Sequence, residues 1–294
     1  GRGRTDTSSG GQKPYCPSDR RDSFTRLYPP QDKKPNRKPP NGEGEMNGIS
    51  KSFSKFYYYI MLNNNILSFA DGKNIKAVFF DMDGVLFDSM PYHAQAWQRA
   101  LSERGLSFSL YDAYLHEGRT ADSTIDEAFI RAYGHTADRR TKDEIYSAKT
   151  DYFHQYPEPP QIPAVADVLR YVRSKNRQIL VVTGSAQMSL LDRLQSNFPD
   201  IFEEGKIISA FDVEHGKPHP EPYLIALRRA GVAADEAIVV ENAPLGVRSA
   251  FAAGISTIAV NTGVLDSKVL ADEGASVVLS DMQELKQVMQ IILT

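Results

Sequence analysis

The chain has 294 residues, a formal net charge of −3 and 24% charged side chains. That length suits one large domain or two smaller ones with a real core, and the near-neutral balance gives no general attraction for nucleic acid or acidic membranes. A single cysteine, Cys16, excludes an internal disulfide and fits a reducing, cytoplasmic setting.

Residues 1 to about 45 are rich in Pro, Gly, Ser, Lys and Arg, including Pro29-Pro30, Lys33-Lys34 and Pro39-Pro40. Such a segment buries too little apolar surface to offset its ordering entropy. Residues 1–75 are therefore expected to be a disordered, low-complexity extension, with natural translation starting at Met46 or Met61. The apolar run Phe56 to Leu62 is cut by Asn63-Asn64-Asn65. It falls far short of the ~18 residues of a membrane span and makes a poor signal peptide.

The first strong signal is Ala77-Val78-Phe79-Phe80-Asp81-Met82-Asp83-Gly84-Val85. Four apolar residues read as a strand buried on both faces, running into two carboxylates and a glycine turn. Acids at the carboxyl end of such a strand sit where open α/β sheets bind ligands. Asp81 and Asp83 repel unless a cation lies between them or one keeps a proton. A calcium loop of the EF-hand kind does not fit, because Val85 takes the place of an oxygen ligand and a strand precedes the loop.

From Pro91 to Pro160 the pattern is helical, with segments at Tyr92 to Arg104, Ser123 to Tyr133 and Lys142 to Tyr156. The prolines 157, 159, 160 and 163 close this block. The expected layout is a core over 76–91 and 159–294 and an all-helical cap over 92–158, acting as a lid.

After Pro163 helices and strands alternate. Strands are expected at 179–182, 207–210, 237–240, 257–260 and 277–279, with helices at 164–174, 185–194, 221–230, 245–253 and the C-terminus. That alternation indicates a parallel α/β sheet covered on both faces. Neither a dinucleotide fingerprint nor a P-loop occurs.

Three predicted strands end in polar groups on one rim: Asp81 and Asp83, then Thr183-Gly184-Ser185, then Glu241-Asn242. Hydroxyls and free amides at the start of a helix can hold a phosphate oxygen. Lys217 lies between prolines in Gly216-Lys217-Pro218-His219-Pro220, ahead of another helix. Taken singly, the 183–185 turn reads equally well as an ordinary helix cap, and Lys217 and Glu241-Asn242 read sooner as a solvated charge and a strand-end turn.

Together, DMDGV, VVTGS, GKPHPEPY and ENAPLG resemble the four motifs of the haloacid-dehalogenase-like phosphotransferases, and the helical insert resembles the cap of the β-phosphoglucomutase-like group. The resemblance implies a Rossmann-like core and an aspartyl-phosphate mechanism over residues 75 to 294. Asp81 is then the nucleophile, and Asp83 the acid that protonates the leaving oxygen and later activates water. Thr183, Gly184, Ser185 and Lys217 hold the transferring phosphoryl group. Mg²⁺ is implied on Asp81, Asp83 and Asn242, with Glu241 beside them as a candidate ligand. Asn242 is a departure, since many relatives have an aspartate there, and it implies weaker metal binding.

For the substrate, His93 resembles the mutases, but their cap-loop arginine aligns near Ala121, with Arg119 displaced. The run His116-Glu117-Gly118-Arg119-Thr120 is instead similar to a bacterial inorganic pyrophosphatase of this fold. That likeness implies that Glu117 reaches the Mg²⁺ shell as the lid closes; Lys149, in the cap helix after Tyr146, is the candidate for binding the leaving phosphate. The expectation is a cytoplasmic, monomeric phosphohydrolase of diphosphate or a small phosphate ester. A sugar-phosphate mutase is the alternative, and a non-catalytic phosphate-binding protein the third.

Overall fold

The computed structural model describes residues 74–185, 190–203 and 205–293. The expectations for residues 1–73, including the extension, its two candidate start sites and Cys16, lie outside the described residues.

Six parallel strands form one sheet: β1 (Ala77–Phe80), β2 (Gln178–Val182), β3 (Ile207–Ile208), β4 (Ala237–Glu241), β5 (Ser256–Val260) and β6 (Val277–Leu279). Their spatial order is β3-β2-β1-β4-β5-β6. Chain order reverses between β1 and β4, which opens a crevice at their carboxyl ends. Ala77 pairs with Gln178 on one side and Ala237 on the other, so the residues following β1 and β4 come out side by side.

Both sheet faces are covered, which is why the strands read as unbroken apolar runs. Val78, Phe80, Val181 and Val240 point to one face, against α5 (Val165–Ser174) and α10 (Met282–Ile292). Ala77, Phe79, Leu180 and Val239 point to the other, against Tyr223 and Ala226 of α7 (Glu221–Ala230) and Ala250 of α8 (Pro244–Ala252). Two further core helices are α6 (Leu190–Asn197) and α9 (Ser267–Asp272).

Between β1 and β2 the chain forms four more helices: α1 (Met90–Ser102), α2 (Leu110–Leu115), α3 (Ala121–Tyr133) and α4 (Arg139–Phe153). They share their own core around Leu101, Phe108, Ile125 and Ile145. Ser109, Thr120 and Asp138 cap α2, α3 and α4 with side-chain bonds to backbone amides, and Pro91 starts α1. Such caps contribute about 1 kcal/mol each. The outgoing and returning connections run together: Asp88 N–H donates to Pro160 O at 2.8 Å, and Ile162 N–H to Leu86 O at 3.0 Å. The insert therefore leaves and re-enters the core at one point.

The expected strand at 207–210 is shorter, because Ser209 ends it by capping a 3₁₀ turn over Ala210–Asp212. The helices α2 and α9, each 6 residues long, were not foreseen. They are too short to show a clear apolar period, and the capping box Ser109–Asp112 is the only local signal for α2.

Candidate active site

Asp81 follows directly from β1, held by its N–H to Val240 O at 3.0 Å, and is 4% exposed. Lys217 Nζ reaches it from the loop before α7. It donates to Asp81 Oδ1 and Glu241 Oε1, each at 2.6 Å, and to Val182 O at 3.0 Å. Burial alone would lower the Lys217 pKa, but Asp81 and Glu241 hold it well above the ordinary lysine range. Lys217 is therefore a fixed cation.

Glu241 is fully enclosed. Its Oε1 also accepts from Tyr223 OH at 2.7 Å, while Oε2 accepts the N–H groups of Asn242 at 3.1 Å and Ala243 at 3.2 Å. A Cβ added at Gly246 would lie 1.8 Å from Oε1, so the first turn of α8 closes on this carboxylate. Glu241 does not fit the expected role of metal ligand in this packing: each oxygen already accepts two hydrogen bonds, the side chain is sealed from the cavity by α8, and it positions Lys217 instead.

Asp83 is turned differently. Its Oδ1 accepts from Ser89 Oγ at 2.5 Å and lies 3.3 Å from His93 Nε2. Burial pushes its pKa up, but His93, Ser89 and Arg193 outweigh that and hold it well below the usual carboxylate range. On the far side of the ring, His93 Nδ1 lies 2.9 Å from Lys149 Nζ of α4. Burial and the Lys149 charge keep the His93 pKa down, against the pull of Asp83. A neutral His93 can accept from Lys149 and donate to Asp83 at once.

The cap contributes Glu117 from the loop between α2 and α3. Asn242 Nδ2 donates to Glu117 Oε2 at 3.3 Å, while Glu117 Oε1 and Asn242 Oδ1 are buried without a partner. Gly118 follows at φ +85°, where a Cβ would lie 3.0 Å from Lys217 Cδ, so the cap loop rests on the lysine stem. Burial first, then Asp81, Asp83 and Glu241, push the Glu117 pKa well up, with Lys217 opposing. Burial, Glu241 and Asp83 push Asp81 up to about 8 despite Lys217. The four acids, Asp81, Asp83, Glu117 and Glu241, outnumber the two buried lysines, Lys217 and Lys149, and two oxygens stand unpartnered.

Thr183 and Ser185 sit at the end of β2, where Ser185 N–H donates to Thr183 Oγ1 at 3.1 Å. Gly184 lies against the cap, its Cβ position 3.2 Å from Gly118 O. A cavity of about 340 Å³ lies between core and cap, lined by Asp81, Asp83, His93, Glu117, Lys149 and Ser185, with Trp97, Phe153 and His116 among its ring-bearing walls. Thus Asp81, Asp83, Lys217, Glu117, Asn242, His93, Lys149 and the 183–185 turn converge. Ser89, Tyr223 and Arg193 were missed. Tyr223 closes the GKPHPEPY run and Ser89 lies six residues after Asp83, but neither position shows its partner in sequence.

The sequence pattern of the haloacid dehalogenase-like hydrolases matches residues 78–260. The chain belongs to that family. Its sequence is similar to the phosphorylated carbohydrates phosphatase of Thermotoga maritima, 29% identical over 231 residues that span 74% of this chain and 100% of the relative. Hexitol phosphatase A of Escherichia coli is 30% identical over 193 residues, 63% of this chain and 83% of its own. Among solved structures, a Bacteroides vulgatus protein described as a candidate beta-phosphoglucomutase is 44% identical, with a TM-score of 0.74. The match covers 81% of this chain and 98% of that one. The chain is thus a haloacid dehalogenase-like hydrolase with a six-stranded parallel core and a helical cap.

Proposed function

We propose that the protein is a Mg²⁺-dependent phosphohydrolase that works through a phosphorylated Asp81 and takes inorganic diphosphate as its substrate. The observation that carries this is the insertion of the cap carboxylate Glu117 among the core acids, beside Asn242. The unpartnered Glu117 Oε1 and Asn242 Oδ1, next to Asp81, suit a hard divalent cation that prefers oxygen ligands. Asp81, the Asp83 main-chain carbonyl, Asn242 and Glu117 would hold it. When bound, the ion supplies charge that lets an anionic phosphate approach a carboxylate.

The chain's own groups do the rest. Lys217 Nζ and the hydroxyls and amides of 183–185 neutralise and orient the phosphoryl oxygens. An Asp81 oxygen forms a bond to phosphorus as the bond to the leaving oxygen breaks. An arriving phosphate adds negative charge beside Asp83 and raises its proton affinity, so Asp83 can give a proton to the leaving group. Asp83, now a base, takes a proton from water as that water attacks phosphorus and frees Asp81. Ser89 and His93 fix the Asp83 rotamer throughout. Lys149, on the cap side of the cavity, supplies a cation for the departing phosphate.

A second reading has support of its own. A cavity of about 340 Å³ is roomier than diphosphate needs and matches the lower end of small-molecule sites, about 300–1,000 Å³. The named relatives act on phosphorylated carbohydrates and hexitol phosphates. A phosphatase of small sugar or polyol phosphates is that reading, with a β-phosphoglucomutase-type mutase behind it. Arg119, which a mutase would need for a second phosphate, is 3.1 Å from Ser123 Oγ and 3.8 Å from Glu127, which engages its charge within the cap. Phosphate release from diphosphate, hexose phosphates and hexitol phosphates, plus a coupled mutase assay, separates the three. The highest kcat/KM is expected for diphosphate with Mg²⁺, and a clearly higher value for any carbohydrate phosphate overturns that choice.

A further inference from the structure

The loop that delivers Lys217 carries a second constellation on its outer side. One nitrogen each of His215 and His219 and one carboxylate oxygen of Glu221 lie within 4.8 Å of one another. His215 Nδ1 is 3.1 Å from Glu221 Oε2, and His219 Nδ1 is 3.9 Å from the same oxygen. The two imidazoles approach to 4.8 Å between ring centres. We propose that His215, His219 and Glu221 form a second metal site, separate from the acid cluster, that takes a borderline divalent cation such as Zn²⁺.

Two imidazoles and a carboxylate suit Zn²⁺, Co²⁺ or Ni²⁺, whereas Mg²⁺ prefers all-oxygen surroundings. The two sites therefore select different ions. Glu221 is preorganised: Oε1 accepts Glu214 N–H at 2.9 Å and Oε2 accepts His215 N–H at 2.8 Å. His219 is anchored by its main chain, its N–H donating to Gly216 O at 3.0 Å and its carbonyl accepting from Ser249 Oγ at 2.6 Å. Its Nδ1 accepts Glu221 N–H at 3.2 Å, which holds that nitrogen facing Glu221. That amide lies in the first turn of α7, where water can replace the lost acceptor.

Bonds of about 2.0–2.1 Å to zinc need donor atoms somewhat closer than they now stand. Both His side chains are at least half exposed, at 57% and 50%, so ring rotation can bring them in without moving buried groups. Exposure also means that the ion enters from solvent, with water completing its shell and no opening of the cap. Lys217 lies two residues from each histidine, so an ion held by His215 and His219 ties down both flanks of the lysine that grips Asp81. The site thus braces the Lys217 loop from outside.

The test is Zn²⁺ binding by calorimetry to the full chain in saturating Mg²⁺, with Co²⁺ absorption as a second readout. One equivalent of Zn²⁺ is expected per chain, weakened at least about tenfold in both His215→Gln and His219→Gln. Asn242→Ala, at the acid cluster, should leave it unchanged. The circular dichroism of both His variants should match the parent, and Zn²⁺ should raise the parent's Tm but not theirs. Absence of Zn²⁺ binding under these conditions, or equal affinity in both His variants, overturns the proposal. Loss of the Zn²⁺ equivalent in Asn242→Ala overturns it too, because the ion then sits among the acids. None of these outcomes bears on which phosphate compound is hydrolysed.

Discussion

Glu117 and Asn242 meet across the gap between cap and sheet, with the Asn242 amide donating to one Glu117 oxygen at 3.3 Å. Because that donor is committed to Glu117, the amide oxygen faces away from it, buried and unpartnered. The cap thus orients a side chain that belongs to the core. Glu117→Ala should lower kcat/KM for diphosphate about 100-fold and weaken the Mg²⁺ requirement curve. Folding should survive, since the change removes one of several mutually repelling buried acids. A Mg²⁺ titration of phosphate release checks it, and unaltered diphosphate turnover would refute the role given to Glu117.

Replacing Asn242 by Asp should act in opposite directions with and without metal. The new carboxylate faces Glu117 and loses the amide donor, so the metal-free protein should show a lower Tm. With Mg²⁺ present, the added charge should tighten binding several-fold and recover that loss by linkage. Thermal melts and Mg²⁺ titrations of parent and variant read both effects. Equal Mg²⁺ affinity would mean that residue 242 does not touch the ion.

Lys217 bridges Asp81 and Glu241 in full burial. Removing one partner of such a set leaves charges unpaired, at a cost of about 3–5 kcal/mol. Lys217→Met should therefore destabilise the metal-free protein by that order and abolish turnover. Tyr223→Phe removes only the hydroxyl that Glu241 accepts, worth about 1 kcal/mol, and should leave kcat within a few-fold. Urea melts give the two stabilities. Similar losses for both variants would show that the lysine is not the electrostatic centre of the cluster.

These contrasts explain how far the sequence could be read. β1, β2, β4 and β5 were legible because burial on both faces requires continuous β-branched and aromatic runs, and strand-end acids, hydroxyls and amide then fall on one rim. Glu241 was misjudged for a physical reason. A carboxylate at a strand end looks the same whether it faces a metal ion or a lysine, and its partners Lys217 and Tyr223 come from a loop and a helix fixed only by tertiary packing. The link from Lys149 through His93 to Asp83 was likewise invisible, because 56 residues separate the first two and only the packing of α1 on α4 brings them together.

Lys149 gives a pH prediction. Burial lowers its pKa from 10.5 to about 8, against the pull of Asp83. In the free enzyme the ammonium is present below that pH and lost above it. Since kcat/KM reports free-enzyme ionisations, its value for diphosphate should fall as pH rises through about 8 in saturating Mg²⁺. Lys149→Met should lower kcat/KM at pH 7 and flatten the alkaline limb. Stability should run the other way. Between about pH 8 and 10.5 the unfolded lysine holds more protons than the folded one, so the parent should gain stability relative to the variant as pH rises. An identical alkaline limb in both proteins would remove Lys149 from substrate binding.

The nucleophile itself can be tested by trapping. If Asp81 accepts the phosphoryl group, its carboxyl becomes an acyl phosphate during turnover, and borohydride reduction should convert residue 81 to homoserine only when diphosphate and Mg²⁺ are both present. Asp81→Asn should yield no such product and no measurable turnover. It should keep the fold, because the amide fills the same space and Lys217 retains Glu241 as a partner. Asp83→Asn separates the two carboxylates further. It can no longer protonate a leaving group, so turnover should fall by about 10²–10⁴, while the hydrogen bond from Ser89 can persist to its amide oxygen. A peptide map showing homoserine at another aspartate would move the nucleophile there, and turnover by Asp81→Asn at the parental rate would require a mechanism in which residue 81 forms no acyl phosphate.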